Sequence, residues 1–156
     1  MRRRCFTAAL LFVLTAVAAQ AQQIAFTLRG HLIQCPVIVS SFTQSKQFGF
    51  DSIVLRNESD QSIEAVRFQV VFRTDTGDEP VDGRRIVVRL GPRDSKRLSI
   101  GLGQVTALTQ RAKSAHQAAG LAILSVESVE LPDGSVLWRD SGPVEGDLPL
   151  LPNLRK

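Results

Sequence analysis

Apolar and polar residues alternate along most of residues 34–139, which is the two-residue period of a β-strand with one buried face. The clearest run is 63–73, where Val66, Phe68, Val70 and Phe72 share the face predicted to be core. The same pattern predicts strands over 34–42, 49–56, 85–90, 98–102, 122–131 and 136–139, with a further short one over 22–29. About seven strands are typical of an all-β domain.

Turn residues separate these strands. The polar break 57–61 predicts that 49–56 and 63–73 pair as a hairpin, because Asn and Asp side chains bond their own backbone in turns. Residues 74–84 contain Gly77, Pro80 and Gly83 and predict a loop, while 91–94 turn the chain into 98–102. The turn 132–134 joins the last two strands, and a change of parity within 122–131 predicts a bulge near Ser128.

One segment has the period of a helix. Val105, Leu108, Ala112, Ala115 and Ala119 recur at helical spacing, and Gly120 is predicted as the left-handed C-cap. The apolar face of this helix is thin, so we expect it over one end of the sheets. The predicted fold is therefore an immunoglobulin-like or fibronectin III-like antiparallel β-sandwich, with one short helix between late strands.

Residues 48–102 carry a family resemblance. A strand that leads into Asn57-Glu58-Ser59, the alternating strand 65–72, a Gly-containing loop over 74–78 and the turn 90–95 occur in that order. This arrangement resembles the immunoglobulin-like modules of exported bacterial proteins, of the CARDB or FxLYD kind. The chain differs from antibody-type domains in lacking a cysteine pair, and from many fibronectin-type domains in lacking tyrosine. The resemblance implies a fold rather than an activity.

The first 21 residues have the pattern of a cleaved export signal: three arginines, an apolar stretch and Ala19-Gln20-Ala21. We therefore divide the chain into a signal peptide (1–21), a β-sandwich domain (22–140) and a Pro-containing, extended tail (141–156). Cleavage removes three of nineteen basic residues and no acidic ones, which leaves sixteen against fifteen, a net charge of +1. Such a charge gives no electrostatic reason to expect nucleic acid. It also leaves Cys35 without a cysteine partner in the mature chain.

The candidate chemistry is limited. Asp75, Asp78, Glu79 and Asp82 lie in the predicted loop 74–84 and are weak candidates for a calcium site, with a solvated hairpin loop as the alternative. His31 and Cys35 are too far apart on a strand, about 13 Å, for a thiol-imidazole pair. We expect a buried Cys35, a surface His31 and a solvated His116. Asn57-Glu58-Ser59 also matches a glycosylation acceptor.

Basic side chains form a stripe. Arg85 and Arg89 flank Val87 at alternate positions, and Lys96 extends the stripe if the two strands form a hairpin. Phosphate or polysaccharide binding is one interpretation. Protection of a sheet edge is the other, and it is favoured because no aromatic residue interleaves with the charges.

These observations predict an exported protein, periplasmic or secreted, that is not an enzyme and uses no cofactor. We expect it to bind another protein or an envelope component, without nucleic acid and without stable membrane insertion after cleavage. The alternative is a small ligand- or calcium-binding module that uses residues 75–82.

Overall fold

The computed structural model describes residues 23–75, 77–117 and 119–141, so the predicted signal peptide and residues 142–156 of the predicted tail lie outside the described residues. The elements are β1 (Gln23–Arg29), β2 (Val37–Thr43), β3 (Phe48–Asn57), β4 (Ile63–Thr74), β5 (Gly77–Leu90), β6 (Ser95–Gln104), α1 (Val105–Ser114), β7 (Ala119–Glu130) and β8 (Val136–Arg139). Among these elements, no helix is long and apolar enough to cross a membrane.

The strands form two facing sheets, which confirms the predicted all-β sandwich. The first sheet, sheet A, has the order β1-β7-β4-β5, and β8 also pairs with β7. The second, sheet B, has the order β2-β3-β6, so β2 is an edge strand. Of the described pairs, only β1 with β7 is parallel, a departure from the antiparallel prediction. The chain leaves β1 for sheet B, so no hairpin fixes the direction of β1 beside β7.

The core lies between the sheets and contains the predicted face of β4. Val66, Phe68, Val70 and Phe72 are all 0% exposed. Phe50 of β3 faces them from sheet B, with its ring 5.5 Å from that of Phe26 in an edge-to-face arrangement. Close packing of these large apolar side chains is the main term that stabilises the fold.

The predicted hairpin of 49–56 with 63–73 is wrong. β3 belongs to sheet B and β4 to sheet A, so the connection crosses from one sheet to the other. The connection from β5 to β6 crosses in the same way, although Lys96 Nζ donates to Val88 O across the sandwich edge at 3.0 Å. A strand with one buried face has the same alternation whether its successor lies beside it or opposite it.

The predicted loop over 74–84 is also wrong. β4 continues to Thr74 and β5 begins at Gly77, so most of this segment is paired strand. Pro80 is accommodated next to a register shift, opposite Val71. β5 lies at the edge of the described sheet, where a missing N–H donor removes no ladder bond.

The helix ends earlier than predicted. His116 has φ 54° and provides the left-handed residue, with His116 N donating to Lys113 O and Gln117 N to Ala112 O, both at 3.0 Å. Gly120 instead lies in β7, where a Cβ atom would approach the Phe72 ring to 2.2 Å. Leu108 and Ala112 are buried, and α1 packs on β1, β6 and β7, so the helix covers one end of the sheets as expected.

The late strands follow the prediction closely. A register shift between Val126 and Ser128 allows Leu124, Val126 and Val129 all to be buried, which confirms the bulge. The β7–β8 turn contains Gly134 at φ 82° and a Leu131 N to Ser135 O bond of 2.9 Å. This hairpin places β8 on β7, beyond the end of β1.

Candidate functional site

The four acidic residues predicted as calcium ligands lie in different surroundings. Asp78 accepts two bonds from the Arg73 guanidinium, at 2.7 and 2.8 Å, and this arginine lowers the pKa of the Asp78 carboxyl. Asp82 accepts from the backbone N–H groups of Gly83 and Gly103. Glu79 forms an ion pair with Arg111, and Asp75 is exposed at the hairpin tip. Within the described ranges, no three His, Cys, Asp or Glu side chains are grouped closely enough to hold a metal.

The candidate nucleophile and the two candidate bases differ in their exposure to solvent. Cys35 lies in the β1–β2 connection with its side chain buried, and this burial raises the pKa of its thiol to about 11. A reactive thiol requires a lowered pKa, so the Cys35 side chain is a packing group. His31 and His116 are exposed, as expected.

Asn57 is a structural residue. Its side chain is fully buried, and Nδ2 donates to Gln61 O at 2.7 Å and Gly91 O at 2.8 Å. Oδ1 accepts from both the backbone N and the Oγ of Ser59. A glycan on Nδ2 would replace one of these two N–H donors and would have no room beside a fully buried side chain, so the Asn57-Glu58-Ser59 sequon is incompatible with this fold.

The outer face of sheet A carries a row of arginines that crosses four strands. Arg139 of β8 is opposite Ser128 of β7, Ser128 is opposite Arg67 of β4, and Arg67 is opposite Arg85 of β5. Residues in one cross-strand row point to the same face. We call Arg67, Arg85 and Arg139 the arginine row; all three are exposed.

A second cross-strand row, with a valine at each end, lies directly beside the arginine row. Val87 is opposite Ala65, Ala65 is opposite Glu130, and Glu130 is opposite Val136. Val87 and Val136 are 48% and 47% exposed, and they are two of the four large hydrophobic residues exposed in the described part of the chain. We call Val87 and Val136 the apolar pair, and the two rows together the outer-face patch.

Charge in the patch is unbalanced. Glu130 is the carboxylate within it, and its Oε2 lies 2.7 Å from Arg85 Nη2. This contact lowers the pKa of Glu130 and keeps it ionised at neutral pH. Arg67 and Arg139 form no ion pair among the described residues, so the patch holds three guanidinium groups against one carboxylate.

A shallow groove adjoins the patch at Arg139. Its volume is about 230 Å³, and it lies between the β1–β2 connection and β8. Arg29 and Asp140 pair at its base, with Nη1 3.0 Å from Oδ2. Ile33 at its rim is 59% exposed, and the Trp138 indole donates to Ile33 O at 3.2 Å. The lining of the groove is mostly polar, and Ile33 is its one strongly exposed apolar side chain among the described residues.

The sequence indicated only part of this site. Arg85 and Val87 do share the outer face, and β5 is an edge strand of the described sheet, as edge protection requires. Lys96 does not extend the stripe, since its ammonium bonds Val88 O. Arg67 lies on β4, an interior strand, so it protects no sheet edge. It lies in the same row as Arg139 because β4 and β8 both pair with β7, and the alternation of apolar and polar residues within a strand does not predict which strands pair.

Comparison of the chain with protein-family models, with curated proteins and with solved structures finds no match.

Proposed function

We propose that this chain is an exported, non-enzymatic module that binds another protein through the outer-face patch. One observation carries the proposal: two adjacent cross-strand rows place the apolar pair beside three exposed arginines on one sheet face. Arginine and exposed apolar side chains are the composition that favours a protein interface. Edge protection explains Arg85 but leaves Arg67 unexplained.

The non-enzymatic part of the proposal is supported by the state of the candidate groups. The Cys35 thiol is buried and protonated, and Asp78, Glu79 and Asp82 are engaged by arginines or backbone N–H groups. The export part rests on residues 1–21, whose pattern predicts cleavage before Gln22. N-terminal sequencing of protein recovered from the cell envelope or the medium tests it, with Gln22 expected as the first residue.

The binding proposal is tested by site-specific photo-crosslinking in cells that express the chain. A photoreactive amino acid replaces Val87 in one variant and Arg97 in the matched control. Arg97 is exposed and lies on β6, in the other sheet. We expect a discrete adduct of higher mass from position 87 and none from position 97. Equal adducts from both positions, or no adduct from either, would contradict the proposal.

A further inference from the structure

We infer that the partner presents an acidic polypeptide surface, whose carboxylates pair with the arginine row while its aliphatic side chains cover the apolar pair. The inference rests on the proposed function and adds the chemistry of the partner to it.

The arginine row brings like charges close together. Arg67 and Arg85 are directly opposite on neighbouring strands, an arrangement of like charges that costs stability in the free protein. Glu130 directs both carboxylate oxygens to Arg85, with Nε 3.1 Å from Oε1 and Nη2 2.7 Å from Oε2. Arg67 also interacts electrostatically with Glu130, but neither Arg67 nor Arg139 forms an ion pair with a described residue. A partner with complementary negative charge removes this cost.

The spacing of the arginine row matches the spacing of carboxylates on a polypeptide. Neighbouring strands are about 4.8 Å apart, so Arg67 lies about 5 Å from Arg85 and about 10 Å from Arg139 along the row. Carboxylates four residues apart on a helix are separated by about 6 Å along its axis. Two such carboxylates therefore match Arg67 and Arg85, and a third about seven residues further along the helix reaches Arg139. Each guanidinium can donate two parallel hydrogen bonds to one carboxylate.

The side chains of the two rows favour a polypeptide partner over a glycan or a nucleic acid. The residues of the two rows include no aromatic side chain on which a sugar or a base could stack. Val87 and Val136 instead offer aliphatic surface in the row next to the arginines. Acidic and aliphatic side chains together occur on proteins.

The test measures binding of poly-L-glutamate by isothermal titration calorimetry at low salt, with alginate as a polyanionic glycan probe. The purified protein is compared with the double variant R67Q/R139Q and with the matched double variant R97Q/K113Q. Both variants lose the same charge, and Arg97 and Lys113 are exposed outside the patch. Circular dichroism confirms that each variant is folded.

We expect poly-L-glutamate to bind the unchanged protein more tightly than alginate does. R67Q/R139Q should weaken this binding at least tenfold, while R97Q/K113Q changes it less than twofold. Equal losses in both double variants, equal binding of alginate, or no binding of poly-L-glutamate would overturn the inference. If position 87 still crosslinks a protein in cells in any of those cases, the proposed function stands without its acidic partner. If position 87 forms no adduct, the proposed function itself fails.

Discussion

Replacing Asn57 with alanine tests how the chain crosses between the two sheets. Asn57 ends β3, and its side chain bonds the β3–β4 connection at Gln61 O and Ser59 and the β5–β6 connection at Gly91 O. Both connections pass from one sheet to the other. The buried side-chain amide of Asn57 therefore links the β3–β4 and β5–β6 connections, which are the two connections that the sequence predicted as hairpin turns.

The magnitude follows from the bonds that are lost. The Asn57 side chain makes four hydrogen bonds: two donated by Nδ2 and two accepted by Oδ1. At a net value of about 1 kcal/mol each, with a further cost where a buried carbonyl is left unpaired, Asn57→Ala should lower the free energy of unfolding by about 3 to 5 kcal/mol. That is a large fraction of the total stability of a domain this size.

Urea denaturation followed by circular dichroism measures this loss. Gln61→Ala is the matched control, because Gln61 contributes backbone atoms to the network and its own side chain is exposed. It should change stability by less than about 0.5 kcal/mol. A loss below about 1 kcal/mol for Asn57→Ala, or one equal to that of the control, would refute the reasoning.

Three further outcomes are expected. Phe68→Ala should cost about 3 to 5 kcal/mol in urea denaturation because Phe68 is fully buried, and a loss below about 1 kcal/mol would mean that the core face of β4 is misassigned. Burial raises the pKa of the Cys35 thiol from 9.0 to about 11, so at pH 8 its thiolate should be about 100-fold scarcer in the folded protein than in the denatured one. A thiol reagent should therefore react far more slowly with the folded protein than with the denatured one. Equal reaction rates would contradict the burial of Cys35. Calcium should give no binding heat and no change in Tm, because Asp78, Glu79 and Asp82 already have partners, whereas a chelator-reversible rise in Tm would favour the calcium-binding alternative.

The sequence predicted the positions and buried faces of the strands better than it predicted which strands pair with each other. Alternation within 63–73 identified the buried phenylalanines, and the parity change near Ser128 identified the bulge, because both are local consequences of which face is buried. The same local pattern could not show that β3 and β4 lie in different sheets, since each strand buries one face in either case. Gly77, Pro80 and Gly83 indicated a loop, yet an edge strand tolerates all three.

The candidate site was harder to predict for the same reason. Arg85 and Val87 were visible as a stripe along one strand. Arg67 and Arg139 are separated from Arg85 by 18 and 54 residues along the chain, and only the pairings β8-β7-β4-β5 bring the three into one row. A row across strands is a property of register, which alternation alone does not fix.

The most direct test of the binding account is a map of backbone amide chemical shifts, recorded by NMR with and without the partner captured at position 87. The account predicts that the changes concentrate at the amides of Arg67, Arg85, Val87 and Arg139, with β2, β3 and β6 unaffected. Changes concentrated on β2, β3 and β6, or none in the outer-face patch, would contradict it.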